Sequence, residues 1–175
     1  MERFSDLERP KRRSTRLSRY TYSEPGAYFV TVCTQDRRCI LSRIVGEGLA
    51  PPAVKLTAYG RIADKQIRLI ETRYPSIRVD HYVIMPNHIH LLCSISGRTG
   101  GASPSPTIMD AVRVFKSGTT RLCGCGGKLF QRSFHDHIVR SEADYREIWT
   151  YIDTNPLKWR EDRFYAEQTE REPCL

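Results

Sequence analysis

Asp80-His81-Tyr82-Val83-Ile84-Met85-Pro86-Asn87-His88-Ile89-His90-Leu91-Leu92 sets two hydrophobic runs on either side of a Pro-Asn turn. Runs of this length, rich in Val, Ile, Tyr and Leu and joined by a tight polar turn, predict an antiparallel pair of strands, one from Ile77 to Met85 and one from His88 to Ile95. Side chains alternate across a strand, so His88 and His90 share one face while Ile89, Leu91 and Cys93 take the other. A strand that presents two imidazoles side by side can offer both to one metal ion; the same pattern also fits two histidines facing solvent.

Working outward, Tyr28-Phe29-Val30-Thr31-Val32-Cys33, entered through Pro25-Gly26 and ended by Gln35-Asp36-Arg37-Arg38, has the composition of a strand. Gly46, Gly48, Pro51 and Pro52 then mark a loop. From Leu56 to about Thr72, the residues Tyr59, Ile62, Ala63, Ile67 and Ile70 recur at spacings of three and four, which predicts an amphipathic helix stopped before Pro75. Beyond the histidine strand, residues 97–106 are rich in Gly, Ser and Pro and read as a connection. A second helix is expected from about Thr107 to Leu122, with Ile108, Val112, Phe115 and Leu122 toward the core, and Gly124, Gly126 and Gly127 break it. Leu129 to Arg140 reads as an extended segment ending in a strand. Ser141 then caps a third helix, with Ser141-Glu142-Ala143-Asp144 close to a capping box. The resulting order, strand, helix, strand, strand, helix, strand, helix, predicts an α+β protein: a ferredoxin-like βαββαβ sandwich with an antiparallel sheet and an added C-terminal helix. Such a fold hosts many activities and does not choose among them.

At 175 residues the chain suits one domain with a sizeable core. Its net charge of +8 favours a polyanionic partner. Residues 1–20 hold seven cations (Arg3, Arg9, Lys11, Arg12, Arg13, Arg16 and Arg19) against three acids, a net +4. They read as a basic arm suited to lie along a nucleic-acid backbone, ahead of a domain at 21–160 and a tail at 161–175. No apolar run approaches the ~20 residues of a transmembrane helix, and the N-terminus is charged from Glu2 and Arg3 onward. The expectation is a cytoplasmic protein with no membrane partner. None of the six cysteines forms a Cys-x-x-Cys pair, so reduced thiols are expected.

In the third helix Tyr145, Ile148, Trp149 and Ile152 define a core stripe, and Tyr151 lies about 110° away from its centre at roughly 100° per residue. Asn155 follows one turn later on the same flank. If that flank meets the histidine strand, His88 and His90 would hold a metal, the Asn155 oxygen would be a third ligand, and the Tyr151 hydroxyl could attack phosphorus. Glu147 and His137 are the weak candidates for a base. The same features also suit a nucleic-acid-binding module without catalysis, or a metal phosphodiesterase that uses water.

With both elements in view, the chain resembles the single-tyrosine transposases with a His-hydrophobic-His motif, the insertion-sequence-200-like group, and is especially similar to the branch associated with repetitive extragenic palindromes. The resemblance is carried, in order along most of residues 20–160, by five runs. They are Pro25 to Thr34, Tyr82 to Leu92, Val114-Phe115-Lys116-Ser117, Phe130 to Arg140, and Tyr151-Ile152-Asp153-Thr154-Asn155-Pro156. It implies a metal-dependent enzyme that nicks and rejoins single-stranded DNA at hairpin-flanked sites through a 5′-phosphotyrosine link. Tyr151 would be the nucleophile, and His88, His90 and Asn155 the ligands of magnesium or manganese, although an imidazole pair also suits zinc. Arg9, Lys11, Arg12, Arg13, Arg16, Arg19, Lys116 and Arg132 would contact single-stranded or hairpin DNA, in a monomer or homodimer. Whether Tyr151 serves its own chain or a partner is open at this stage.

Overall fold

A computed structural model describes residues 24–46, 52–96, 106–124 and 126–167. Six strands and three helices occur in it: β1 (Gly26–Cys33), β2 (Ser42–Val45), β3 (Ala53–Leu56), α1 (Ala58–Arg73), β4 (Ile77–Ile84), β5 (His88–Ile95), α2 (Ile108–Leu122), β6 (His135–Val139) and α3 (Glu142–Thr154). The main sheet has the order β4-β5-β1-β6 with every pairing antiparallel. This is the ferredoxin-like α+β sandwich expected from the sequence, with α3 added.

The alternation along β5 sorts two layers. Ile89, Leu91 and Cys93 join Tyr28, Val30 and Val32 of β1 in the main core, closed by Ile67 and Ile70 of α1 and Val112 and Phe115 of α2. On the other face Leu92 packs with Ile148 and Ile152 of α3. Each helix begins on a hydroxyl cap that satisfies an otherwise unpaired amide: Thr57 accepts from Gly60 N, Thr107 from Asp110 N and Ser141 from Asp144 N. At Ser141 the return half of the capping box is diverted, because the Asp144 carboxylate accepts instead from Arg140 N and meets His137 Nε2.

Three local expectations change. The loop after β1 contains a short hairpin, β2 with β3, whose four-residue strands are too brief to show a period beside their glycines and prolines. It carries Leu41 against α1 so closely that a Cβ on Gly60 would stand 1.9 Å from the Leu41 carbonyl oxygen, which requires glycine there. Leu122 is 53% exposed and lies outside the core, since α2 ends on that residue. Trp149 is 37% exposed and stacks on His81 of β4 at 4.3 Å, so the buried stripe of α3 narrows to Ile148 and Ile152. Arg9, Lys11, Arg12, Arg13, Arg16 and Arg19 lie outside the described residues. Among the described residues no helix is long and apolar enough to cross a membrane.

Candidate active site

His88 and His90 project from β5 toward α3, and both are buried, 0% and 1% exposed. Their Nε2 atoms lie 3.1 Å apart. The tautomer of His88 follows from its neighbours. Asn87 Nδ2 donates to the carbonyls of Phe164 at 2.7 Å and Arg37 at 3.3 Å, which turns Asn87 Oδ1 toward His88 Nδ1 at 2.9 Å. An amide oxygen only accepts, so His88 Nδ1 carries the proton and its Nε2 is a bare lone pair. His90 Nδ1 meets the Thr31 hydroxyl of β1 at 2.9 Å, the contact that leaves His90 Nε2 free to face the same point. Hydrogen bonds to the outer ring nitrogen that aim the inner one are how proteins prepare imidazoles for a metal. Burial, with the charges of Arg163 and Arg37, pushes the His88 pKa down to about 3. Burial and the neighbouring His88 hold His90 well below its ordinary value. Both rings are therefore neutral at physiological pH, the form that ligates.

α3 brings Tyr151 over this pair. Its hydroxyl is 3.4 Å from His90 Nε2, and its ring stands edge-on to Phe29, which in turn stacks on His90. Flank placement explains the exposure: Tyr151 is 40% exposed. Asn155, at the C-terminal end of α3, is buried beside them. Its Nδ2 donates to Asp162 Oδ2 at 3.0 Å, and its Oδ1 is buried with no hydrogen-bond partner among the described residues. An orphaned carbonyl oxygen of this kind costs about 1–3 kcal/mol unless something occupies it.

Asp162 is the member that sequence reasoning missed. Past α3, Trp159 and Phe164 tuck in beside the His88 ring, with ring centroids 6.1 and 4.8 Å away, and the turn between them directs Asp162 inward. One ring nitrogen each of His88 and His90 and one carboxylate oxygen of Asp162 lie within 4.8 Å of one another, a group able to hold a cation. The donor set fits one: two neutral imidazoles whose Nε2 atoms face one point, a carboxylate and an orphaned amide oxygen. Burial, then the charge of Asp162, raises the Tyr151 pKa, while Arg163 and Asn155 oppose this. A cation among these donors would reverse that direction.

The remaining nominees fall elsewhere. His137 Nε2 is bonded to Asp144 at 2.9 Å and not to the phenol. The Lys116 ammonium bonds the carbonyls of Gln131, Arg132 and Ser133, bracing that loop. Arg132 is exposed on the same loop, on the far side of the sheet from α3.

Comparison with known proteins adds three findings. No protein-family model matches the chain. An uncharacterised protein of Haemophilus influenzae is 31% identical over 174 residues, covering 89% of this chain and 94% of that one. Among solved structures, a REP-associated tyrosine transposase bound to a REP hairpin superposes with a TM-score of 0.59 at 22% identity, over 82% of this chain and 73% of that one.

Proposed function

The chain belongs to one family with the uncharacterised Haemophilus influenzae protein and has the fold of a REP-associated tyrosine transposase, and on that footing we propose that it nicks and rejoins single-stranded DNA beside hairpins, with Tyr151 as nucleophile. The observation that carries the reading is the meeting of the Tyr151 hydroxyl with a buried, neutral His88/His90 pair. A divalent cation, magnesium or manganese, held by His88, His90 and Asp162 with Asn155 Oδ1 alongside, would polarise a non-bridging phosphoryl oxygen.

The chain's own groups do the rest. Tyr151 Oη attacks phosphorus, forming the Tyr–O–P bond as the P–O3′ bond breaks, and the 3′ oxygen leaves as a hydroxyl on the released strand. The Asp162 carboxylate, which acts on the phenol by charge and hydrogen bonding, would take its proton. Because the phosphodiester energy is kept in the phosphotyrosine, attack by a 3′-hydroxyl reverses the step and rejoins DNA. Arg37 and Arg163, both exposed and both close enough to depress the His88 pKa, place positive charge where the scissile phosphate would sit. Phe29 and His90 hold the phenol ring edge-on and limit its rotation.

Incubating the full chain with labelled single-stranded hairpin DNA and manganese or magnesium tests this. A covalent protein–DNA adduct is expected, absent from Tyr151→Phe, with DNA binding nearly unchanged. Substantial cleavage by Tyr151→Phe that is lost in His88→Ala would instead make the protein a phosphodiesterase using water. Tight binding with no cleavage in either metal would make it a binding module.

A further inference from the structure

β4 departs from regular alternation at one place. Val79 pairs with Cys93 of β5 and His81 with Leu92, so Asp80 is an extra residue in the ladder, a β-bulge. Val79 and Tyr82 pack against the main core. In a regular strand His81 would follow Val79 to that side; with the bulge its ring comes out on the side of Leu92, facing α3. Bulges re-aim single side chains in this way beside functional sites.

There His81 makes two contacts with α3, one turn apart. Its ring lies flat on the indole of Trp149, with centroids 4.3 Å apart and planes 7° from parallel. Its Nε2 donates to Asp153 Oδ1 at 2.7 Å, since an ionised carboxylate only accepts. The side chains of His81 and Asp153 are 24% and 56% exposed, so the contact adds little burial. What it supplies is direction, because a stacked ring and a hydrogen bond both fix an angle, whereas apolar surfaces slide.

At roughly 100° per residue, Trp149 and Asp153 each lie about 160° round the helix from Tyr151, together on the far flank. Ile148 and Ile152, the buried residues of α3, rest on Leu92 between the two flanks. The helix thus sits on a narrow ridge, with the tyrosine on one flank and His81 holding the other. Its first turn is tied separately, by Asp144 to His137. Side-chain tips stand about 5–6 Å from a helix axis, so a roll of about 10° moves the Tyr151 hydroxyl by about 1 Å. A displacement of that size is enough to cost a reaction about 100-fold.

We infer that His81 is a positioning residue: by holding Trp149 and Asp153 it fixes the roll of α3, and with it the placement of the Tyr151 hydroxyl over His88 and His90. The consequence for rate rests on the reading of Tyr151 as nucleophile, while the placement of the phenol stands without it.

Two measurements on the full chain test this. Fluorine NMR of metal-free protein carrying 3-fluorotyrosine at residue 151 alone reads where the phenol sits. Single-turnover adduct formation by unlabelled protein, on saturating single-stranded hairpin DNA with manganese, reads the chemical step. Both are run well below each variant's melting temperature, so that a loss of stability alone moves neither. In His81→Ala the fluorine resonance is expected to shift and broaden and the rate to fall about 100-fold, with DNA and manganese affinities unchanged. Asp153→Ala, at an exposed position where truncation leaves the fold intact, should give a smaller loss in the same direction. Asp153→Asn keeps an acceptor for the imidazole and should restore the parent rate. An unaltered resonance, an unaltered rate, or a rate lost only through weaker DNA or metal binding would each overturn the inference, as would Asp153→Asn falling as far as Asp153→Ala. If the wild type forms no adduct, the nucleophile reading fails, and the fluorine spectra still decide the role of His81.

Discussion

The two faces of β5 are one residue apart in sequence and serve opposite ends. Toward α1 and α2, Ile89 and Leu91 are sealed in a hydrophobic core with Tyr28, Ile67 and Phe115. Toward α3, His88 and His90 are buried just as deeply, yet they meet Asn87, Thr31, Tyr151 and Asp162. Apolar closure on that side comes from Leu92, Ile148, Ile152 and their partly buried neighbours, and from Trp159 and Phe164 against His88. The first face supplies stability, and the second uses it to keep polar groups poorly solvated and in register.

If that division is right, substitutions on the two faces should separate cleanly. The largest effect is expected for His88→Ala or His90→Ala: strand joining falls by several orders of magnitude, and manganese, expected to raise the melting temperature of the wild type, leaves that of the variant unchanged, because a ligand stabilises only the state that binds it. Retained stabilisation by manganese would place the cation elsewhere. On the core face Phe115→Ala is expected to cost about 3–5 kcal/mol by denaturant unfolding, while the folded fraction keeps its metal response. A smaller effect should follow from Thr31→Ala, which leaves both rings in place but removes a partner of the outer nitrogen of His90. Metal affinity, measured calorimetrically, should fall about 10–100-fold. The smallest is a pH effect on the metal-free protein. His88 titrates at about 3 in the fold against 6.5 in the open chain, and burial is the main cause. The unfolded chain therefore gains protons that the folded one refuses, so this contribution is present above pH 6.5 and lost as pH falls toward 3. Melting temperatures measured through that window should decline, and less steeply in His88→Ala.

Much of this was legible in the sequence for definite reasons. Two histidines at alternate positions had to share a face of a strand, and the opposite face had to be core. The flank position of Tyr151 followed from helical spacing, as did its company with Asn155. Asp162 was not legible, because it reaches the site through a turn held by Trp159 and Phe164, and no periodicity links that turn to β5 seventy residues earlier. Trp149 looked like core because spacing cannot tell a buried indole from one stacked at the edge of a sheet. Nor does Asn87 announce itself: its effect depends on which carbonyls its amide finds after folding.

The central claim is that the tyrosine on α3 and the histidines on β5 form one reacting centre. Mass spectrometry of the peptide carrying Tyr151, after reaction of wild-type protein with single-stranded hairpin DNA and manganese, tests it most directly. The account predicts a nucleotide mass on Tyr151 that is absent without metal and absent from His88→Ala. A nucleotide linked to another residue, or cleaved DNA with Tyr151 unmodified throughout the reaction, would contradict it.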